Sequence, residues 1–164
     1  MKLKHKLTAI LGAAVFSLTT LNANATDKDI IETASSQPMF NILLSAVEAS
    51  GLDNTLKGDG PYTVFAPSDE AFEALPEGTL DELLKPENKD KLKDMLNYHI
   101  VPGKYTADKM AGKMKQLETL QGSTLEINKA GRLAKVDHAA IQIPDVMATN
   151  GVVHVIDTVL TPNQ

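Results

Sequence analysis

The chain has 164 residues, of which 43% are hydrophobic, and its formal net charge at neutral pH is −5. It contains no cysteine, which excludes disulfides, cysteine nucleophiles, thiolate metal sites and a lipid anchor attached through a cysteine. We also expect no nucleic-acid partner, because an acidic domain is repelled by phosphates.

The first 25 residues have the pattern of a secretory signal peptide. Their start is basic, an apolar stretch runs from Leu7 to about Leu21, and a small-residue cleavage site ends at Ala25. Hydroxyl side chains interrupt the apolar stretch, which is shorter than the ~20 residues of a membrane-spanning helix. We therefore predict a signal peptide over residues 1–25 and a single domain over residues 26–164. The protein would then be secreted or periplasmic and would not span a membrane after cleavage.

Two helices are predicted next, divided at Pro38. Thr26 is expected to cap the first helix, with Asp27 and Asp29 in its first turn, where the helix dipole favours acidic side chains. The second helix ends at Gly51. Its apolar side chains recur with helical spacing, at Phe40, Leu43, Leu44 and Val47.

A short strand is predicted from Tyr62 to Ala66, ended by Pro67. Ser68 then caps a brief helix that turns Phe72 and Leu75 towards the core. A further helical region follows, in which Thr79 and Glu82 have the spacing of a capping box.

From Ile100 onwards the hydrophobic period changes from helical to two residues. A hairpin is predicted with its turn near Ala130–Gly131, and two further strands are joined at the turn dipeptide Asn150–Gly151. Helices in the first half and strands in the second half predict an α+β domain.

No sequence motif of an enzyme is present, and we predict no catalysis and no cofactor. A nucleophile–base–acid set can be assembled on paper, from Ser68, His99 or His154, and Asp69 or Asp157. Nothing in the sequence places these groups within hydrogen-bonding distance of one another. The pair Asp137–His138 fits two solvated turn residues better than two metal ligands, so no metal site is expected.

His154 is the histidine whose role decides between an enzyme and a scaffold. In a strand, Val153 and Val155 share one face, and His154 lies on the other face with Val152 and Ile156. A histidine between apolar neighbours is buried and needs a structural hydrogen-bond partner. We therefore predict a structural role for it, and the same for His99.

Three segments in this order resemble the fasciclin (FAS1) domain family: "YTVFAPSDEAFEAL", "YHIVPG" and "NGVVHVIDTVLTP". The resemblance extends from about Asp27 to Pro162. It implies a β-sandwich or wedge with several helices packed around it, and a structural polar core that includes His154 and Asp157. It also implies an exported protein that mediates cell adhesion or binds an extracellular or cell-surface protein or polysaccharide.

The resemblance also implies candidate contact residues. The segment "PDVM" is similar to a tetrapeptide that animal matrix members use for integrin binding, which would make Pro144, Asp145, Val146 and Met147 a partner-binding patch. The pair Tyr98–His99 matches a second proposed recognition element. Alternatively, Val146 and Met147 pack as core residues at the end of a strand.

A carrier of a hydrophobic small molecule such as a carotenoid is the alternative function, because some secreted members of the family bind carotenoids. An adaptable apolar surface for such a ligand would be lined by methionines. The candidates are Met39, Met95, Met110, Met114 and Met147.

Overall fold

The computed structural model describes residues 27–112, 115–130 and 133–162. The helices are α1 (Ile30–Ser35), α2 (Asn41–Ser50), α3 (Asp53–Leu56), α4 (Asp69–Glu73), α5 (Thr79–Leu83), α6 (Lys89–Tyr98) and α7 (Ala107–Met110), with a 3-10 turn at Pro86–Asn88. The strands are β1 (Tyr62–Pro67), β2 (Ile100–Pro102), β3 (Lys115–Glu118), β4 (Thr124–Ala130), β5 (Leu133–Val136), β6 (Ala139–Ala148) and β7 (Gly151–Ile156). The predicted signal peptide, Thr26, Met114 and Gly131 of the predicted hairpin turn lie outside the described residues.

The strands form one mixed sheet in the order β2-β1-β7-β6-β5-β4-β3. At its centre β1 and β7 run parallel, and the other neighbouring strands are antiparallel. The sheet curls until its two edges approach each other, where the Leu120 N–H donates to the Ile100 carbonyl at 2.8 Å. The result is a nearly closed barrel with helices around it, which confirms the predicted α+β class.

The hydrophobic side chains form two cores, one on each side of the β1–β7 pair. The helices cover the outer face, where Val153 and Val155 belong to the helical core. Phe65 and Ile156 belong to the core enclosed by the sheet. Side chains of adjacent strand residues therefore enter different cores, as period-two alternation requires. The predicted division of the faces of β7 is confirmed.

Two predicted helix starts are wrong. Asp29 is extended and caps α1 instead of lying in its first turn, and it forms a reciprocal capping box with Glu32. The spacing of Thr79 and Glu82 does not mark a cap, because Thr79 is already helical and Gly78 precedes it. Gly78 has a φ of 83°, which a glycine adopts without steric cost, so it serves as the turn into α5.

Other predicted boundaries are confirmed within a residue. Ser68 caps α4 through its side chain, and Gly51 ends α2 in the left-handed conformation. Pro67 is the last residue of β1 and not the first residue after it. The turn between β6 and β7 consists of Thr149 and Asn150, because Gly151 already pairs with Ala148.

Candidate interaction surface at the bulge of strand β6

The strand β6 is irregular where the predicted contact residues lie. Its pairing with β7 shifts register between Ile141 and Ile143 and again between Ile143 and Val146. Asp145 has a φ of 58°, a left-handed conformation that Asp tolerates better than most residues. Extra residues of this kind bulge the strand and re-aim its side chains.

Pro144, Asp145, Val146 and Met147 form what we call the bulge surface. Pro144 and Asp145 are exposed, whereas Val146 and Met147 are half-buried. Val146 packs against the helical core, so the alternative expectation of core packing applies to the inner half of this surface. The Asp145 carboxylate is also engaged, because its Oδ1 accepts the Ala107 N–H at the start of α7 at 2.8 Å.

His154 lies directly beneath the bulge surface and is fully buried. Its Nδ1 accepts the Asp145 N–H at 3.2 Å, and its Nε2 lies 2.7 Å from the Tyr105 carbonyl oxygen. The ring stacks on Phe65 with 5.6 Å between the ring centroids. Burial lowers the pKa of the imidazole, although the Tyr105 carbonyl and the Asp145 charge oppose that shift. The predicted burial and structural hydrogen bonding of His154 are confirmed.

His99 is also buried, with 1% of its surface exposed, at the junction of α6 and β2. Its Nε2 accepts the Leu160 N–H at 2.9 Å, so the proton is on Nδ1, which lies 2.7 Å from the Met95 carbonyl oxygen. Burial lowers its pKa to about 4. The ring therefore joins the end of α6 to the segment that follows β7.

Tyr98 is buried as well, with 2% of its surface exposed. Its hydroxyl donates to Asp137 Oδ2 at 2.8 Å. Burial, this hydrogen bond and the negative charge of Asp137 all raise the pKa of the phenol. Because Tyr98 and His99 are both interior, neither offers an accessible surface to a partner.

The expectation that Asp157 belongs to a polar core with His154 is wrong. It is exposed just after β7, because the strand ends at Ile156 and the chain there emerges from the sheet. Its carboxylate accepts the Ala140 N–H at 2.9 Å and the Gln142 side-chain amide at 3.2 Å. Partial desolvation would raise the pKa of this carboxyl, but the hydrogen bonds outweigh it and lower the pKa.

A groove adjoins the bulge surface, and sequence reasoning missed it. Its apolar lining includes Met39, Ile143 and Val155, and its carboxylates belong to Asp69, Glu70 and Asp157. We call it the acidic groove; its volume is about 600 Å³. Ile143, next to the bulge surface, is 44% exposed. No sequence signal marked it, because Ile141 and Ile143 keep the alternation of a regular strand and only the bulge exposes Ile143.

The structure does not assemble the nucleophile–base–acid set that can be written from the sequence. Both ring nitrogens of His154 and of His99 are occupied by backbone groups. Ser68 accepts from a backbone N–H at the start of α4. Within the described ranges, no cluster of three or more His, Asp or Glu residues could hold a metal ion.

An apolar cavity lies between α1, α2 and the sheet. Apolar side chains such as Ile30, Leu43 and Val153 line it, together with His99. Its free volume is about 20 Å³, which is room for about one water molecule.

No helix in the described part of the chain is long and apolar enough to cross a membrane.

Several known proteins are similar to this chain. It is 45% identical over 133 residues to Protein sll1483 of Synechocystis, covering 81% of this chain and 73% of that protein. It is 43% identical over 125 residues to the pig transforming growth factor-beta-induced protein ig-h3, covering 76% of this chain and 18% of that protein. The cell surface glycolipoprotein MPB83 of Mycobacterium bovis is 37% identical over 134 residues, with 79% and 58% covered.

Among solved structures, a FAS1 domain pair from the insect cell adhesion molecule Fasciclin I has the same fold. The TM-score is 0.74 at 20% sequence identity, and the match covers 82% of this chain and 51% of that chain. A family model described as the Fasciclin domain matches residues 38–162. The three matching sequence segments, the nearly closed barrel with its surrounding helices, and this match agree, and the chain belongs to the fasciclin domain family.

Proposed function

We propose that this protein is an exported, non-catalytic binding domain that attaches to a cell-surface or extracellular partner through the bulge surface and the acidic groove. The observation that carries the proposal is the exposed apolar Ile143, which joins these two neighbouring features. Ile143 belongs to the lining of a concave groove, and a groove that combines apolar lining with a few convergent polar groups is typical of a binding site.

The names of two similar proteins support this class of function. One is a cell surface glycolipoprotein of Mycobacterium bovis, and the solved structure belongs to an insect cell adhesion molecule. One name is that of a cell surface protein and the other that of a cell adhesion molecule, which supports a binding role outside the cell. Secretion or retention in the periplasm is proposed here from the signal-peptide pattern of residues 1–25.

The charge of the acidic groove favours a protein partner over an acidic polysaccharide. Asp69, Glu70 and Asp157 line it, and none has an ion-pair partner among the residues that the structure describes. An anionic sugar chain would be repelled, whereas a protein segment with Lys or Arg would be attracted. In this proposal Tyr98 and His99 do not contact the partner, because both are buried.

The alternative of a pigment carrier is not favoured by the apolar cavity beneath α1 and α2. A volume of about 20 Å³ is far below the ~300 Å³ at which small-molecule pockets begin. The proposal therefore rests on the surface and not on the interior.

The test is capture of partners from envelope and culture-medium extracts, with protein, glycan and pigment fractions analysed. The variant is Ile143→Ser, and its matched control is Leu120→Ser, because Leu120 is also a large exposed hydrophobic residue, at 37%. We expect a surface protein that the parent and Leu120→Ser retain and that Ile143→Ser loses. Equal retention by both variants would refute this surface, and a co-purifying pigment would favour the carrier.

A further inference from the structure

The bulge surface is joined to the buried core by the contact between Asp145 and His154. The left-handed conformation of Asp145 takes its N–H out of the regular pairing between β6 and β7. That N–H instead donates to the Nδ1 of His154 at 3.2 Å. The bond is partly shielded from water, where a backbone N–H without a partner is costly, so this acceptor stabilises an otherwise unfavourable backbone conformation.

The hydrogen bonds of His154 identify its tautomer. Nδ1 accepts a hydrogen bond, so it carries no proton. The proton of the neutral ring is therefore on Nε2, which donates to the Tyr105 carbonyl at 2.7 Å. Stacking on Phe65 holds the plane of the ring. The Asp145 N–H and the Tyr105 carbonyl thus determine the tautomer, and Phe65 determines the orientation of the ring.

A second contact joins Asp145 to the segment whose carbonyl His154 engages. The Asp145 carboxylate accepts the Ala107 N–H, two residues after the carbonyl that His154 engages. Asp145 is thus held at its own N–H and at its side chain. Because the bulge is one continuous piece of backbone, these two contacts determine which way Pro144 and Val146 project.

We propose that His154 is a positioning residue for the bulge surface: its unprotonated Nδ1 holds the Asp145 N–H and thereby fixes the conformation that the surface presents to a partner. This inference rests on the proposed function for its biological meaning. The positioning itself is a property of the free protein and can be measured without a partner.

Two substitutions separate positioning from simple stabilisation, because each keeps one of the two hydrogen bonds. His154→Asn places a carbonyl oxygen close to the position of Nδ1, so it retains an acceptor for the Asp145 N–H but loses the donor to Tyr105. His154→Gln places an amide N–H close to the position of Nε2, so it retains the donor to Tyr105 and loses the acceptor. Both variants lose one buried hydrogen bond.

The experiment is amide hydrogen exchange measured by NMR on the full chain and on both variants. We expect exchange at the Asp145 N–H to accelerate about tenfold or more in His154→Gln relative to core amides of β1, and to change about threefold or less in His154→Asn. Equal acceleration in the two variants would reduce His154 to a general stabilising residue and overturn the proposal.

A measurement on the unsubstituted protein keeps the test valid if a variant does not fold. The ¹⁵N spectrum of the imidazole distinguishes a bare Nδ1 from a protonated one. A neutral ring of His154 protonated on Nε2 is expected, and a proton on Nδ1 would overturn the proposal. If Ile143→Ser and Leu120→Ser retain the partner equally while this tautomer and the exchange pattern hold, the proposed function fails and the positioning role stands.

Discussion

Acid should destabilise this protein through His99, well above the pH range in which carboxylates are protonated. The pKa of His99 is about 4 in the folded protein, against ~6.5 for an unfolded chain. As the pH falls through 6.5, the unfolded state binds a proton that the folded state excludes, so the free energy of unfolding decreases. The loss from this residue is about 2 kcal/mol between pH 7 and pH 5, and about 3 kcal/mol once the pH is below 4.

Urea denaturation at pH 7, 6 and 5 measures this loss directly. The test variant is His99→Gln, and the matched control is His138→Gln, because His138 is exposed in the turn after β5. We expect His99→Gln to be less stable than the parent at pH 7 but to lose much less stability by pH 5. His138→Gln should follow the parent at every pH.

The buried His154 acts in the same direction, because burial lowers its pKa as well. Some dependence on pH should therefore remain in His99→Gln. If His99→Gln instead loses as much stability as the parent between pH 7 and pH 5, then His99 does not exclude the proton in the folded state. Burial and the two backbone contacts of His99 would then not lower its pKa in the folded protein.

Two further substitutions test the local interactions. Tyr98→Phe should lower the free energy of unfolding by about 1–2 kcal/mol, because Asp137 loses a buried hydrogen-bond donor; an unchanged urea midpoint would show that this contact contributes nothing. Asp29→Ala should cost about 1 kcal/mol by removing the cap of α1, whereas the control Asp27→Ala, exposed and outside the helix, should leave the melting temperature unchanged.

Local patterns predicted the local features of this fold. The Ser68 cap depends on the residues that follow it, and the faces of β7 follow from alternation alone, so both could be predicted. The packing of helices around a β-structure was predicted from the resemblance of three segments to the fasciclin domain family. The start of α1 was predicted wrongly, because an acidic residue such as Asp29 fits both the first turn of a helix and its N-cap. Only the extended backbone of Asp29 shows that it is the cap.

The features that the sequence could not predict depend on contacts between distant segments. His154 reaches Tyr105, 49 residues away in the chain, and nothing in the sequence near either residue marks the other. The acidic groove combines side chains from before α2, from the start of α4, from β6, and from β7 and the residue that follows it. Period-two alternation also assumes a regular strand, so it could not foresee the bulge that exposes Ile143.

The parallel pairing of β1 with β7 has a consequence for how the protein is made. Tyr62 pairs with Gly151, and β7 also carries β6 on its other side. A growing chain that has not yet reached Gly151 therefore lacks the strand that lies between β1 and β6, and closing the long loop from β1 to β7 is slow. The sheet can therefore be completed only after β7 has been synthesised, and until then β1 and β6 have no strand between them.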